Sequence, residues 1–390
     1  MSVANQEKGM GEQKLSKLKI AIVHYWLVNM RGGEKVVESL CELFPDADIY
    51  TLVVDFAAIS DSLRQHRITP SFVQKLPGAV RHYQTFLPLY PMALEQFDLS
   101  GYDLVISSES GPAKGVLTRP ETCHICYCHT PMRYLWDMYH DYRRECGWLK
   151  RFAMVPMAHY LRQWDLASSA RVDYFIANSA HVSRRIAKHY RRIAEVIHPP
   201  VDTASFNVVS DHEDFYLMVG QLVKYKRPDL AITAFSRLGR PLVVIGEGEE
   251  FARLKKLAGP TINFLGRQPF SVIKDYYSRC RAFVFPGEED FGITPVEAQA
   301  SGRPVIAFGK GGALETIVGG KTGVFFSEQT AESLIEAVLE FEGMSGSFCP
   351  TSIRDHSLAF DNSVFSTRVK QFIESKVAEH FEKFRPQGGE

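Results

Sequence analysis

Two series of alternating apolar runs and helical patterns, each interrupted by glycine loops, constrain the fold of this chain more than any other feature. Residues 18–24 form a short apolar run rich in β-branched side chains, which predicts a buried parallel strand. A loop ending in Arg31-Gly32-Gly33-Glu34 follows, and residues 35–43 have a helical pattern. Strand, glycine loop and helix together form the opening unit of a doubly wound α/β domain.

The same alternation continues through both halves of the chain. In the first half it predicts strands at 48–54, 104–107, 124–129 and 174–178, and helices at 155–170 and 180–190. In the second half it predicts strands at 216–220, 242–245, 262–265, 282–285 and 304–308, and helices at 228–238 and up to 257. This spacing favours parallel sheets, and 390 residues suggest two domains. We therefore expect two Rossmann-like α/β domains.

The overall composition narrows the class of protein. Lys and Arg number 45 and Asp and Glu number 45, a balance that does not favour binding to nucleic acid. Seven cysteines without the spacing of a secreted disulfide framework indicate a reducing compartment, so we expect a cytoplasmic protein. The sequence contains no run of 18 apolar residues, so no transmembrane helix is predicted. The first 17 residues are polar, which predicts a loose tail.

Positive charge is concentrated between residues 130 and 195, where 12 Lys or Arg stand against 6 Asp or Glu. The basic pair at 150–151 lies between Trp148 and Phe152, and residues 184–192 form a basic helical pattern. A surface with basic and aromatic side chains suits peripheral contact with an anionic membrane, here the inner face of the cytoplasmic membrane. An ordinary solvated face is the alternative.

An acidic loop in the second half carries the strongest candidate site. Residues 285–298 leave a predicted strand and turn into a helix, with Thr294 as the expected N-cap and Pro295 at the first helical position. Open α/β sheets bind ligands at the carboxyl ends of their strands, so Glu289 and Glu297 are candidates to accept hydroxyl groups of a sugar or ribose. Thr294 and Glu297 also have the spacing of a capping box, in which Glu297 would serve only the helix start.

Three glycine loops in the same half follow predicted strands, at Gly220, at Gly246 and at Gly311-Gly312. Free backbone N–H groups at a helix start bind phosphate, and glycine lets the backbone approach an anion closely. Tight turns explain many isolated glycine loops. Three of them in one half favour a ligand that carries phosphate.

The run Cys123–Cys128, followed by His129, raises the alternative of a metal site. Strand alternation places His124 with Cys126 and Cys128, on the face opposite His129. A tetrahedral zinc site needs four convergent ligands, and no second cysteine pair lies nearby in the sequence. We therefore expect a buried strand and no metal. His129, at the strand end, is expected to lie in a ligand cleft. The alternative is a histidine in a turn whose hydrogen bonds are all made within the protein.

At these motifs the chain resembles a known family. Glu289 and Glu297, with seven residues between them, and the Gly-Gly-x-x-Glu of residues 311–315 look like the motifs of family 4 retaining glycosyltransferases of GT-B fold. The loop at 219–227 and the Gly-Gly-Glu at 32–34 fit the same family. The resemblance covers nearly the whole chain.

A narrower resemblance, carried by the runs at 129–137 and 286–300, is to bacterial mannosyltransferases of O-antigen and exopolysaccharide synthesis. It implies the GT-B architecture, two Rossmann-like domains that face each other across a cleft. Residues 18–200 would form the acceptor-side domain, with a C-terminal helix at about 363–390 packing back onto it. Residues 213–362 would form the nucleotide-sugar-binding domain.

The resemblance also implies roles for individual residues. Glu289 would hold hydroxyls of the donor sugar, Glu297 would hold the ribose, and Lys226 would neutralise the donor diphosphate. His129 would lie beside the transferring sugar, so the implied catalytic set is Glu289, His129 and Lys226. Neither a metal nor a cofactor is implied. The implied donor-binding residues are Gly32, Gly33, Gly220, Gln221, Lys226, Gly246, Gly266, Glu289, Asp290, Phe291, Gly292, Ile293, Glu297, Gly311 and Gly312.

One position departs from the family pattern. The family usually has arginine directly after the glycine of the Gly220 loop, and this chain has Gln221 there. The uncharged amide removes one half of the usual cationic clamp on the diphosphate. Lys224 or Arg227 could replace the charge, although a lysine cannot copy a planar guanidinium.

The resemblance predicts a retaining transfer of a hexose to a polyprenyl-diphosphate-linked saccharide in the synthesis of cell-surface polysaccharide. The expected donor is GDP-mannose. Two alternatives stay open because a fold does not determine a function. A nucleotide-sugar epimerase of the same fold would act on the donor without an acceptor. A non-catalytic scaffold subunit, suggested by Gln221, would bind the donor without turnover.

Overall fold

The computed structural model describes Leu15 and residues 17–145 and 147–384. The predicted N-terminal tail therefore lies almost entirely outside the described residues, as does the end of the predicted C-terminal helix. The chain divides into two compact units. The first comprises the described residues up to His198 together with those from Phe365, and the second comprises Pro199–Val364.

The first unit is built on a seven-stranded sheet in which every pair of neighbouring strands is parallel. The order across the sheet is β3-β2-β1-β4-β5-β6-β7, so the chain builds outward from β1 in one direction and then returns to begin β4 on the other side. The strands are β1 Ile20–His24, β2 Asp48–Thr51, β3 Ile68–Pro70, β4 Leu104–Glu109, β5 Cys123–Cys128, β6 Tyr174–Ala177 and β7 Ala194–Val196.

Helices cover this sheet and supply its apolar layers. They are α1 Gly32–Leu43, α2 Asp61–Arg64, α3 Tyr90–Glu95, α4 Tyr139–Glu145, α5 Trp148–Ser169 and α6 Ala180–Tyr190. On one face of the sheet, Val36 and Leu40 of α1 pack in one cluster with Ile22 of β1 and Ile106 of β4. These four side chains are almost fully buried, which is why the strand sequences are nearly continuous apolar runs.

The second unit repeats the plan with a six-stranded parallel sheet in the order β10-β9-β8-β11-β12-β13. Its strands are β8 Tyr216–Val219, β9 Leu242–Ile245, β10 Ile262–Gly266, β11 Ala282–Phe285, β12 Val305–Phe308 and β13 Gly323–Phe326. Its helices are α7 Pro228–Leu238, α8 Phe251–Leu257, α9 Phe270–Arg279, α10 Ile293–Ala300, α11 Ala313–Thr316, α12 Ala331–Gly343 and α13 Pro350–Ser357.

The last helix, α14 Asn362–Lys383, belongs to the first unit for most of its length. Val369, Ile373 and Val377 are spaced four residues apart, so they share one helical face, and all three are buried in the cluster that contains Ile22. The core of the first unit is therefore completed by α14.

The fold class predicted from the sequence is confirmed, with two parallel α/β sheets of Rossmann-like type. The predicted bounds of α6, α7, β9 and β11 match those observed. The predicted helix at 35–43 begins three residues earlier, so Gly32 and Gly33 are helical and not in the loop. The sequence reading missed the edge strands β3, β7 and β13. β3 and β7 have only three residues each, and β3 ends in a proline, which suits an edge strand.

No helix among the described residues combines the length and the apolar content needed to cross a membrane. The described cysteines all carry free thiols.

A buried ionic network ties β4 to α5 inside the first unit. The Lys114 ammonium donates hydrogen bonds to Glu109, at 2.8 Å, and to Asp165. Asp165 also accepts from the Trp136 indole N–H at 2.7 Å and from the Tyr190 hydroxyl at 3.0 Å. Lys114, Glu109 and Asp165 are fully buried, and burial raises the pKa of Glu109 to about 7 although the Lys114 charge opposes the rise.

We expect Lys114→Met to destabilise the first unit by about 3–5 kcal/mol at pH 8, because two buried carboxylates lose their cation. All four tryptophans lie in this unit, so urea unfolding followed by tryptophan fluorescence reports on it alone. Since the pKa of Glu109 is raised on folding, acidification to about pH 5.5 should protonate it and restore part of the loss.

The matched control for this prediction is Lys35→Met. Lys35 pairs with Glu38 at 2.9 Å, but its side chain is 59% exposed. Surface pairs of this kind contribute about 0–1 kcal/mol. Equal losses of stability in the two variants would contradict the role assigned to the buried network.

Candidate functional site

The candidate site in the second unit lies where the strand order reverses. β8 and β11 are neighbours in the sheet, but the chain leaves β8 toward β9 and leaves β11 toward β12. The loops that follow them therefore diverge, and a crevice opens at their carboxyl ends. A hollow that is open to solvent occupies this position. Its lining residues include Gly220, Gln221, Lys226, Phe285, Gly287 and Glu289.

An ion pair spans this hollow. The Lys226 ammonium, from the loop after β8, lies 2.9 Å from Oε1 of Glu289, from the loop after β11. Both side chains are about four-fifths buried. The next residue, Arg227, is a non-glycine residue in the left-handed region with φ of 52°, and its guanidinium pairs with Asp229. Arg227 adopts this strained conformation directly after Lys226, and the strain is tolerated because it helps to position Lys226 at the hollow.

The Gly220 and Gly246 loops pack directly against each other. A Cβ on Gly246 would overlap the carbonyl oxygen of Gly220, and both residues have positive φ. The Gly220 N–H donates to the Ile245 carbonyl at 3.0 Å, and the Gly246 N–H donates to the Gly266 carbonyl at 2.9 Å. The ends of three adjacent strands are thereby joined through glycine, because no side chain fits between them.

The Gly311-Gly312 loop packs against the acidic loop. A Cβ on Gly312 would overlap the backbone of Phe291, and a Cβ on Gly311 would overlap the Glu289 carbonyl. The Gly312 N–H donates to this same Glu289 carbonyl at 2.9 Å. This N–H is therefore engaged within the protein, and the close approach of two backbones is what requires glycine here.

The start of the helix that carries Glu297 differs from the sequence prediction. α10 begins at Ile293 with Gly292 as its N-cap, in the left-handed region at φ of 89°. Thr294 and Pro295 are therefore the second and third helical residues, and the expectation that they are N-cap and first residue is wrong. The capping-box alternative fails with it, because Thr294 would have to be the N-cap.

Glu297 instead has a partner that the sequence reading missed. The hydroxyl of Tyr277, from α9, donates to Oε2 of Glu297 at 3.0 Å. Tyr277 is fully buried, and burial, followed by the charge of Glu297, raises the pKa of Tyr277 well above its usual range. The hydroxyl therefore stays a donor and holds the carboxylate in one orientation. Nothing in the sequence near Tyr277 indicated this contact, which joins two separate helices.

The residues between the two glutamates have mixed surroundings. Phe291 is buried against Phe360, with ring centroids 5.6 Å apart, in a small cluster that also contacts Ile293. Phe291 was predicted to bind the donor, and the structure places it in this packing cluster. Asp290 is half-buried in the loop.

The first unit has its own strand-order reversal, between β1 and β4. At its carboxyl edge, Ser108 Oγ and His129 Nε2 are hydrogen-bonded at 2.9 Å, and His24 Nδ1 lies 3.2 Å from the Ser108 carbonyl. Nε2 of His24 lies 3.9 Å from Glu34. The structure thus brings His129 together with three polar residues that the sequence reading assigned no role.

Gly33 closes this cluster from the first turn of α1. A Cβ at this position would lie 2.7 Å from the Tyr25 hydroxyl and 3.7 Å from Nε2 of His129. The helix start itself is capped by Glu34, which accepts a hydrogen bond from the Arg31 N–H at 3.0 Å. Tyr25 follows directly after the predicted first strand, and that position was the available signal for it.

The cysteine and histidine run is a buried strand, as expected. Cys123 and Cys128 pack in different apolar clusters on the two sides of the sheet. His124 bonds Ser107 at 2.9 Å, and burial lowers the pKa of His124 to about 4. Among the described residues, Cys123 is the member of this run that lies near other possible metal ligands, Asp173 and His380.

Two family models match the chain, one over most of the first compact unit and one within the second. The Glycosyltransferase Family 4 model matches residues 30–205, and the Glycosyl transferases group 1 model matches residues 202–346. The two matches follow one another directly and together span most of the chain. Each model alone matches less than half of the chain, and the chain is similar to these glycosyltransferases in both units.

Individual relatives are distant. The alpha-1,3/1,6-mannosyltransferase ALG2 of Candida glabrata is 23% identical over 77% of this chain and 78% of its own length. The GDP-mannose-dependent alpha-(1-6)-phosphatidylinositol monomannoside mannosyltransferase of Mycobacterium tuberculosis is 29% identical over 50% of this chain and 57% of its own length. With the Candida protein excepted, this chain spans about half the length of the curated relatives it matches.

The fold is shared with solved structures over almost the whole chain. Anabaena Alr3699/HepE, in complex with UDP and glucose, superposes with a TM-score of 0.68 at 14% identity. The superposition covers 92% of this chain and all of the Anabaena chain. At this identity the likeness establishes the GT-B type of fold alone.

We expect Gly312→Ala to destabilise the second unit by about 2 kcal/mol or more, because the added methyl group overlaps the Phe291 backbone. Far-UV circular dichroism should show an earlier thermal transition, while tryptophan fluorescence, confined to the first unit, keeps its midpoint. Gly343→Ala is the control, since nothing lies within 4 Å and alanine favours the helix by up to about 1 kcal/mol. Identical midpoints for both variants would refute the packing argument.

Proposed function

We propose that this protein is a retaining glycosyltransferase that moves mannose from GDP-mannose to a lipid-linked saccharide in cell-surface polysaccharide synthesis. The observation that carries the proposal is the pair formed by Lys226 and Glu289 at the strand-order reversal of the second unit. A cation and a carboxylate there, 2.9 Å apart in an open hollow, match the two ends of a sugar diphosphate.

Lys226 is suited to the diphosphate. When the bond between the sugar and the diphosphate breaks, negative charge grows on the leaving phosphate, and a preorganised cation stabilises that charge. Lys226 is partly buried, so its interaction with an anion is less screened than at a free surface. In this proposal the ammonium exchanges Glu289 for the phosphate when the donor binds, and Glu289 turns to sugar hydroxyls.

Glu297 is suited to the ribose. A carboxylate accepts hydrogen bonds from two adjacent hydroxyls, provided that its plane is held in position. The buried Tyr277 hydroxyl supplies that restraint at 3.0 Å. Glu297 therefore contributes to binding of the donor and not to its cleavage.

The proposed reaction breaks the bond from the anomeric carbon of the sugar to the diphosphate and forms a bond to an acceptor hydroxyl oxygen. The acceptor proton passes to a phosphate oxygen of the departing nucleoside diphosphate, so no side-chain base is assigned. The charge of the leaving group is balanced by Lys226, and the proposal requires no metal. His129, whose ring is held by Ser108, is the catalytic residue proposed in the first unit.

Support for mannose comes from the relatives. Both the Candida and the Mycobacterium protein are described as mannosyltransferases, and the latter as dependent on GDP-mannose. The Anabaena protein was crystallised with UDP and glucose, so the shared fold accommodates more than one base. A lipid-linked saccharide is proposed as the acceptor on the basis of the O-antigen and exopolysaccharide resemblance.

The test is a panel of nucleotide sugars, scored by thermal shift and by transfer to a polyprenyl-diphosphate-linked saccharide. GDP-mannose at about 100 times its dissociation constant should stabilise the protein by about 2.7 kcal/mol, more than UDP-glucose does. Transfer should release GDP, retain the anomeric configuration and persist in EDTA. Epimer formation without GDP release would favour an epimerase, and binding without turnover would favour a scaffold subunit.

We expect Lys226→Ala and Glu289→Gln each to lower kcat/KM by about 10²–10³-fold, because each removes a charge that acts in the transition state. Steady-state assays with the best donor of the panel measure this loss. Exposed residues of α8 and α12 give the matched controls Lys256→Ala and Glu336→Gln, which should keep wild-type rates. Full turnover in both site variants, with their circular dichroism unchanged, would show that the site is elsewhere.

A further inference from the structure

The first two turns of α5 project from the first unit without being packed. All six residues from 148 to 153 are exposed, and the Trp148 and Phe152 side chains are 82% and 81% exposed. Burial of the helix begins only at Ala158 and Leu161, which pack with Met132 and Leu135. Exposure of two neighbouring aromatic side chains to this extent is unusual for a soluble surface and marks an interaction site.

The exposed apolar residues share one face of the helix. At 100° per residue, Trp148, Phe152 and Val155 fall within an arc of about 60°. The face that Ala158 and Leu161 bury is centred more than about 90° away. The apolar arc is therefore not an extension of the packed face, and the described residues of the first unit do not cover it.

Charge identifies what would cover this face. Residues 147–164 contain Lys150, Arg151 and Arg162 and no Asp or Glu. Arg151 borders the apolar arc, where a long basic side chain can reach lipid phosphates while its stem lies on the apolar surface. A second copy of the chain would bring like charges together at the same patch. An anionic lipid surface satisfies both the cations and the aromatic side chains.

The basic helix α6, which the sequence also offered for lipid contact, is partly engaged inside the protein. Arg185 bonds Thr130 and pairs with Asp137, and His189 bonds Asp137 at 2.9 Å. Of these two segments that the sequence offered for membrane contact, the start of α5 is therefore the better candidate.

We propose that the Trp148–Val155 face of α5 docks on an anionic membrane, with the two aromatic side chains inserted among the headgroups. Arg151, which lies about 70° from the centre of the apolar arc, contacts lipid phosphates in this arrangement. The proposal goes beyond the proposed function and does not depend on it, since it concerns lipid and not sugar.

The experiment is co-sedimentation of the whole protein with vesicles of phosphatidylglycerol and phosphatidylcholine, and with vesicles of phosphatidylcholine alone. The protein should pellet with the anionic vesicles at about 0.05 M salt and be largely released at about 0.5 M. Trp148→Ser/Phe152→Ser and Arg151→Glu should each reduce partitioning by about tenfold or more. No sugar donor is present, so failure of the proposed function would not affect this result.

The control variant is Phe56→Ser/Met92→Ser, which removes two exposed apolar side chains of the same unit outside α4 and α5. It should partition like the wild type. The proposal is overturned if the α5 variants bind anionic vesicles as well as the control does. It is also overturned if sedimentation velocity shows that the wild type self-associates through this face and the Trp148→Ser/Phe152→Ser variant does not, since the patch would then be a dimer interface.

Discussion

The reversal of strand order at the middle of each parallel sheet is the constraint on which the rest of this structure depends. Wherever two adjacent parallel strands send their chains in opposite directions, the loops that follow must separate, and a crevice is left between them. In this protein the reversal lies between β1 and β4 in the first unit and between β8 and β11 in the second. The polar residues of the candidate sites gather at these two edges because the connectivity leaves room for them there.

The crevice of the second unit is shaped by backbones that approach each other closely. In the second unit, the Gly246 and Gly312 positions admit no Cβ, since each faces a neighbouring loop in direct contact. In the first unit, a Cβ on Gly33 would instead meet side chains, the Tyr25 hydroxyl at 2.7 Å and Nε2 of His129 at 3.7 Å. Glycine is thus needed mainly to bring loops together, and the loops in turn hold Lys226, Glu289 and His129 in fixed places.

Local sequence patterns predicted most of the architecture and only part of the site. Strands such as β9 and β11 are continuous apolar runs that only a buried parallel sheet explains, so their bounds could be read directly. Glu289 could be found because its loop follows a predicted strand, and Lys226 was found through the family resemblance of the loop at 219–227. Tyr277 could not be found, because it lies 20 residues before Glu297 in a different helix, and their hydrogen bond depends on how the two helices pack. The predicted start of α10 was wrong because the N-cap is Gly292, in a left-handed conformation, and not Thr294.

The course of α14 has a consequence for how the protein is made. The first unit needs Val369, Ile373 and Val377 to fill its core, and a ribosome adds these residues only after the whole of the second unit. The second unit is continuous in sequence and lies wholly upstream of them. During vectorial synthesis the second unit can finish folding first, and the sheet of the first unit keeps part of its apolar surface open until α14 emerges.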